Sequence, residues 1–386
     1  MTSHLEASPP TYVPRDPSQT VLYRVVADHL ETFLASLDAD TDAQGLPAYV
    51  QRELYDYLQG GILAHGFLRL GCDTCHKELL LPFRCKRRGF CPSCAGRRMA
   101  QTAAHLVERV ILWVPIRQGG VSVPVPLRYW MAATQELTAK VHTIIRTTIG
   151  QDYVHQAITR GGPRAKVQPG SVTFSQRFGA GFGREGEAPT LTGPRCASVQ
   201  GFSLHANTQV PAHRRDQLER LIRYTAWGAV SLERLTQDAK GDLVYPFTHP
   251  WSDGTTGIRL SPLELLEKLT ALVPLPRVPL VRYGGCLAPH SQLRGALIPT
   301  PRQQGVDEPE TSTASPRWSW ARLLKRVFAL DMAGCPFCQQ GSLRIIAALT
   351  HGEVIRKILR HLKLAADPPP IAPARVRREA FAWSSA

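Results

Sequence analysis

GCDTCHKELLLPFRCKRRGFCPSCAGRRM, residues 71–99, holds five of the nine cysteines of this 386-residue chain beside a knot of arginines and lysines. Cys72-x2-Cys75, nine residues, Cys85, five residues, Cys91-x2-Cys94 offers five thiols where a tetrahedral structural zinc takes four. Two thiolates separated by two residues can grip one ion from a tight turn, and a second such pair closes the tetrahedron. The expected ligands are therefore Cys72, Cys75, Cys91 and Cys94, with Cys85 as the alternative and His76 a weaker one. A small iron–sulfur cluster accepts the same four thiolates, but nothing in the segment points to redox chemistry. A closed four-thiolate Zn²⁺ has no open coordination position, so it organises a loop rather than performing a reaction. Arg84, Lys86, Arg87, Arg88, Arg97 and Arg98 lie on that loop and just after it. Guanidinium forks match phosphate oxygens, which makes these six the expected phosphate contacts of a nucleic acid, against the plainer reading of a solvated basic face; the segment alone does not single out DNA.

Composition agrees with that partner class. Lys and Arg outnumber Asp and Glu by 46 to 31, a net charge of +15 that favours polyanions. An odd number of cysteines, six of them in three close C-x2-C pairs, fits metal ligation better than a disulfide framework. The opening MTSHLEASPPTYVPRDPSQT is polar and proline-bearing, and no clean apolar run reaches membrane-spanning length. The expected setting is the reducing prokaryotic cytoplasm and its nucleoid, with no membrane partner; self-association is not legible.

Along the chain, residues 1–19 read as a flexible arm. QTVLYRVVADHLETFLASLDA and YVQRELYDYLQGGILAHGFL carry helical periodicity before the cysteines, and RRMAQTAAHLVERVILWV carries it after them. RQGGVSVPVPL and PGSVTFSQRFG read as strands, with YWMAATQELTAKVHTIIRTTIGQDYVHQAITR as helix between them. HRRDQLERLIRYTAWGAVSLERL is amphipathic and broken at Gly228. GDLVYPFTHPWSDGTTGIRL reads as a hairpin around Asp253-Gly254, and SPLELLEKLTALVP as a helix with Ser261 and Glu264 set as a capping box. Residues 296–316 are a linker by composition. SWARLLKRVFAL, with Arg322, Lys325 and Arg326, is a further helix and a secondary DNA contact. Cys335-x2-Cys338 follows, read as an incomplete knuckle or half of a second zinc site whose other ligands are not evident nearby. Cys286 and His290 lie some fifty residues upstream.

The run GILAHGFLRLGCDTCHKELLLPFRCKRRGFCPSCAGRRMAQTAAHLVERV resembles the N-terminal zinc-binding domain of the IS91-family transposases. The resemblance continues through PVPLRYW and GSVTFSQRFG. It resumes at GFSLHANTQVPAHRRDQLERLIRYTAWGAVSLERL, at HPWSDGTTGIRLSPLELLEKLTALVP and at WSWARLLKRVFALDMAGCPFCQQGSLRIIAAL. It implies rolling-circle-type transposition on single-stranded DNA ends by an HUH-type nuclease. In that chemistry a tyrosine attacks a phosphodiester while Mg²⁺ or Mn²⁺, held by a His-apolar-His pair, polarises the phosphate. Tyr224 in RLIRYTAWGAV falls where the family places its nucleophile. The histidine pair is missing: no two of the 13 histidines are separated by a single residue, and His205, His213 and His249 are solitary. AGFGREGEAPTLTGPRCASVQ stands where the histidine-bearing strand would follow.

The expected fold is α+β: a helical zinc module at 20–114, a truncated HUH-like α/β centre at 115–295 with an internal deletion near 180–195, and a helical C-terminal region at 317–362 before a Pro/Ala/Arg tail at 363–386. Missing strands are expected to leave sheet edges unpaired. The expected function is that of an IS91-family transposase, DNA binding and transposition by tyrosine-mediated rolling-circle-type strand transfer, with the missing histidine pair counting against surviving catalysis. The alternative is a non-catalytic zinc-containing DNA-binding protein or defective transposase remnant, and an RNA-binding or adaptor role is the third reading.

Overall fold

A computed structural model of the chain describes residues 16–39, 45–124, 127, 130–131, 134–162, 169–175, 190–193, 195–226, 233–247, 254–297, 334–338 and 340–375. The expected arm up to residue 15, most of the linker, the helix bearing Arg322, Lys325 and Arg326, the junction at 176–189, Gly228 and Asp253 lie outside the described residues.

In chain order the first elements are α1 (Val21–Asp38), α2 (Ala48–Gln59), β1 (Phe67–Cys72), β2 (Glu78–Pro82) and α3 (Pro92–Arg109). Then come β3 (Ile116–Arg117), β4 (Gly120–Ser122), α4 (Gln135–Thr159), β5 (Gly170–Phe174), β6 (Thr190–Gly193), β7 (Cys196–Val199), β8 (Phe202–His205), β9 (Gln209–Val210) and α5 (Arg215–Thr225). β10 (Thr236–Gln237), β11 (Leu243–Pro246), β12 (Gly257–Leu260), α6 (Pro262–Ala271), β13 (Val281–Gly285), α7 (Arg294–Leu297), β14 (Leu343–Leu349) and α8 (Gly352–His361) complete it.

The chain divides into two compact units, and neither is continuous in sequence. One takes Met1–Arg97, Gly228–Pro276 and Pro316–Ala386; the other takes Arg98–Trp227 and Arg277–Ser315. This differs from the linear order of domains expected from the sequence, because 228–276 and the C-terminal region cluster with the N-terminal module.

In the first unit, α1 buries Leu22, Val26 and Leu30 at four-residue spacing against Leu54 and Leu58 of α2 and Leu266 and Leu269 of α6. Thr20 caps α1, its hydroxyl accepting the Tyr23 N–H at 3.2 Å. The expected capping box is present at α6: the Ser261 hydroxyl accepts from the Glu264 N–H at 3.3 Å, and the Glu264 carboxylate accepts from the Ser261 N–H at 2.6 Å. β11 and β12 pair antiparallel as the expected hairpin. Phe90, 2% exposed, plugs the core with its ring 5.0 Å from that of Tyr57. Burying side chains of this size supplies about 1.5–3 kcal/mol each and outweighs the modest helix propensities around them.

Two segments with helical periodicity are strands. α2 stops at Gln59 before Gly60-Gly61, and Phe67–Cys72 forms β1 rather than prolonging the helix. LRIIAAL, in the region expected to be helical, is β14, which pairs antiparallel with β1 from Phe67↔Leu349 to Cys72↔Leu343. β2 pairs on the other side of β1, giving the sheet order β14-β1-β2. α8 then packs Ile355 and Leu359 onto Phe67. The chain after it runs alongside α1, where the Ala372 N–H donates to the Ala27 carbonyl at 2.9 Å.

In the second unit, Ala103, Leu106 and Val107 of α3 and Val110 just beyond it form a core with Val210, Leu218 and Ile222. Arg215 fastens α5 to the end of α3, donating to the carbonyls of Ile111 at 2.9 Å and Leu112 at 3.0 Å and also to that of Val107. β5 pairs with β13, and β4-β8-β7-β6 forms a separate antiparallel sheet. Among the described residues β5 has one strand partner.

Candidate metal centres and nuclease residues

β1 ends at Cys72 and the chain turns through Asp73–Lys77, with His76 in a left-handed conformation at φ 58°, before β2 leads back. The turn aims two N–H groups at one sulfur: Thr74 and Cys75 each donate to Cys72 Sγ at 3.4 Å. A second turn, Cys335 to Gly341, is built alike, the Gly341 N–H donating to Cys338 Sγ at 3.4 Å just before β14. Asp73 joins the two turns. Its carboxylate accepts from the Ser342 N–H at 2.8 Å and the Ser342 hydroxyl at 2.7 Å, while its own N–H donates to the Ser342 carbonyl at 3.2 Å. Gly341 permits the approach, because a Cβ there would lie 2.4 Å from Cys72 Sγ.

This docking brings Cys72, Cys75, Cys335 and Cys338 together, all four sulfurs within 4.8 Å of one another. Cys72 Sγ is 3.7 Å from Cys338 Sγ, and Cys75 Sγ is 3.6 Å from Cys335 Sγ. A tetrahedron of thiolates about 2.3 Å from zinc has edges of about 3.8 Å, close to these two separations, so the quartet is able to coordinate a metal ion. N–H groups of Cys75 and Thr74 pull the Cys72 thiol below its ordinary range, and those of Gly341 and Gln340 hold Cys338 down to about 6. Both effects favour the thiolate that a metal requires.

The structure therefore does not join Cys72 and Cys75 to Cys91 and Cys94, and the incomplete knuckle at Cys335 and Cys338 is one half of a complete quartet. The reason is the hairpin. β2 runs its five residues away from the Cys72 turn, about 17 Å at roughly 3.4 Å per residue, and so carries Cys85 to the opposite end. There Cys85, Cys91 and Cys94 form a second cluster with sulfurs within 4.8 Å of one another. Cys85 Sγ lies 3.3 Å from Cys94 Sγ. Hydrogen bonds from Cys85 and Cys91, then from the Lys86 and Arg87 N–H groups, push the Cys94 thiol far down. Two Cys-based clusters able to coordinate a metal ion thus exist, and His76 belongs to neither.

The six basic residues have different surroundings. Arg87 is engaged by Asp56 in an ion pair, and Arg84 lines a cavity beside it. Lys86 is exposed in a left-handed turn position at φ 55°. Arg88 is half-buried, as are Arg97 and Arg98 on α3.

Tyr224 stands on the outer face of α5, opposite the buried Leu218 and Ile222, with 77% of its surface exposed. That rules out core packing as its role. His205 is exposed on β8, opposite Cys196 of β7 and Gly120 of β4. No histidine joins a metal-competent group among the described residues. Among the described residues no pair of histidines is brought together to hold the Mg²⁺ or Mn²⁺ of an HUH nuclease. No helix among the described residues is long and apolar enough to cross a membrane.

Residues 25–122 match the family model described as "Transposase zinc-binding domain", of IS91 type, and residues 128–294 match the one described as "Putative transposase". No curated protein and no solved structure matches the chain. The two matched ranges together cover well over half of it, so the chain belongs to the IS91 family of transposases.

Proposed function

We propose that this chain is an IS91-type DNA-binding protein that keeps the zinc-organised docking module of a transposase and no longer cuts DNA. The observation that carries this reading is the contrast between its two halves. The thiol quartet meets the geometric requirement of a structural zinc, while the histidine pair that would activate a phosphate is absent from the sequence. Tyrosine is a weak nucleophile at neutral pH, and without a polarised phosphate its hydroxyl has no efficient reaction to perform. Zn²⁺ in the quartet pins β14 and the Cys72 turn together, and the basic residues after β2 and on α3 contact phosphates. Single-stranded transposon ends are the expected ligand, with affinity falling as salt rises.

One observation favours retained cleavage: Tyr224 is exposed enough to meet a DNA strand. Incubating the full chain with labelled single-stranded end DNA and Mg²⁺ or Mn²⁺ separates the two readings. Salt-sensitive binding without a covalent protein–DNA adduct is expected; an adduct that disappears in Tyr224→Phe refutes the loss of cleavage.

A further inference from the structure

The second thiol cluster is not a smaller copy of the first. Among the described residues no fourth Cys, His, Asp or Glu atom comes within the 4.8 Å that unites Cys85, Cys91 and Cys94. Cys91 and Cys94 are sealed in the core formed by α1, α2 and α6, whereas Cys85 is half-buried. Cys85 forms part of the wall of a cavity of about 200 Å³ shared with Asp56, Gln59, Gly60, His65, Phe83 and Arg84. Gly60 lets its segment pack directly on Cys85, since a Cβ there would lie 2.7 Å from the Cys85 nitrogen and 2.8 Å from its Cβ. Of the three thiol residues, Cys85 is the one that lines the cavity, while Cys91 and Cys94 face the core.

We infer that Cys85, Cys91 and Cys94 hold a second zinc with three thiolates and one coordination position open to this cavity, taken by water and exchangeable for a small exogenous thiol. Three protein ligands with a free fourth position is the arrangement of reactive zinc, and four thiolates that of structural zinc. A cavity of this volume accommodates a water and a small thiol without unfolding the core. The quartet is then the inert site and the trio the exchangeable one. This rests on the reading that the module carries zinc.

The test uses the full-length chain loaded with Co²⁺ in place of zinc, because thiolate-to-cobalt absorption reports both ligand number and its change. The wild type is expected to bind two equivalents, and added 2-mercaptoethanol to shift the absorption of one equivalent only. That responsive equivalent should persist in Cys335→Ser/Cys338→Ser and vanish in Cys85→Ser. His65→Ala should leave the spectrum unchanged. A spectrum with two equivalents and no response to the thiol overturns the open position while leaving zinc loading intact, and it is read on the wild type, so a poorly folding variant does not blunt it. A His65→Ala spectrum that gains thiol sensitivity makes His65 the fourth ligand and also overturns it. One inert equivalent that survives Cys85→Ser removes the second site. No bound metal at all refutes the zinc reading itself.

Discussion

Replacing Cys335 and Cys338 together with serine separates the quartet from any pairing confined to residues 72–94. In the quartet one ion joins Cys75 to Cys335 across 260 positions of sequence. A cross-link closing a loop of that length removes about 5–6 kcal/mol of unfolded-chain entropy, from the logarithmic dependence on loop size. Zinc-knuckle binding energies of about 10–16 kcal/mol are large enough to sustain that closure. The double variant should therefore lose one equivalent of zinc by metal analysis. The unfolding free energy of the first unit, from denaturant titration followed by far-ultraviolet circular dichroism, should fall by up to about 5–6 kcal/mol, with a matching drop in midpoint. Limited proteolysis should release the segment bearing β14 and α8, because the sheet pairing from Cys72↔Leu343 to Phe67↔Leu349 loses its anchor at one end. Wild-type zinc content and an unchanged midpoint in this variant would refute the assignment, and would return Cys72 and Cys75 to a partnership with Cys91 and Cys94.

Phe90→Ala empties the core beside Tyr57 and should cost about 3–5 kcal/mol in urea unfolding. Arg215→Ala strips three carbonyls at the end of α3 of their donor and should cost about 2–3 kcal/mol by thermal unfolding, with Arg215→Lys recovering part of it. Ser261→Ala should cost about 1 kcal/mol. The Ser261 N–H holds the Glu264 carboxyl below its ordinary value near 4.3, so its share of the cap is fully present above about pH 4.3 and is lost as pH falls through the depressed value. The urea-midpoint difference between wild type and Glu264→Gln should therefore shrink on acidification; a difference that grows would reverse the sign of the argument. Lys86→Gly removes the ammonium without straining a backbone already at φ 55°. It should reduce the slope of log affinity for single-stranded DNA against log salt by about 0.7, and an unchanged slope removes Lys86 from the interface.

The sequence was legible where the determining forces are local. The α6 cap is written in Ser261 and Glu264, three residues apart, and the α1 face in a four-residue repeat. α2 stops where Gly60 and Gly61 follow it, yet the apolar GILAHGFL beyond them still looked like helix, because short apolar runs carry no period that separates helix from strand. LRIIAAL misled for the same reason, and it is a strand because β1 offers it an unpaired edge. Cysteine spacing picked out thiols that could hold a metal but not which of them meet. That depends on the length of β2, which sends Cys85 away from Cys72, and on Asp73 meeting Ser342 from the far end of the chain. A local signal for the quartet did exist: both its C-x2-C pairs abut a β-strand, Cys72 closing β1 and Cys338 preceding β14.

A zinc held between Cys75 and Cys335, as proposed above, would also set a clock on synthesis. At roughly 5–20 residues per second, a ribosome needs on the order of 13–50 s after making the first pair before it delivers the second. Throughout that interval the first thiol pair is without its partners and the outer edge of β1 lacks β14. A nascent chain is thus exposed to oxidation or mispairing at its front until its end arrives. A product truncated anywhere before Cys335 would never leave that condition.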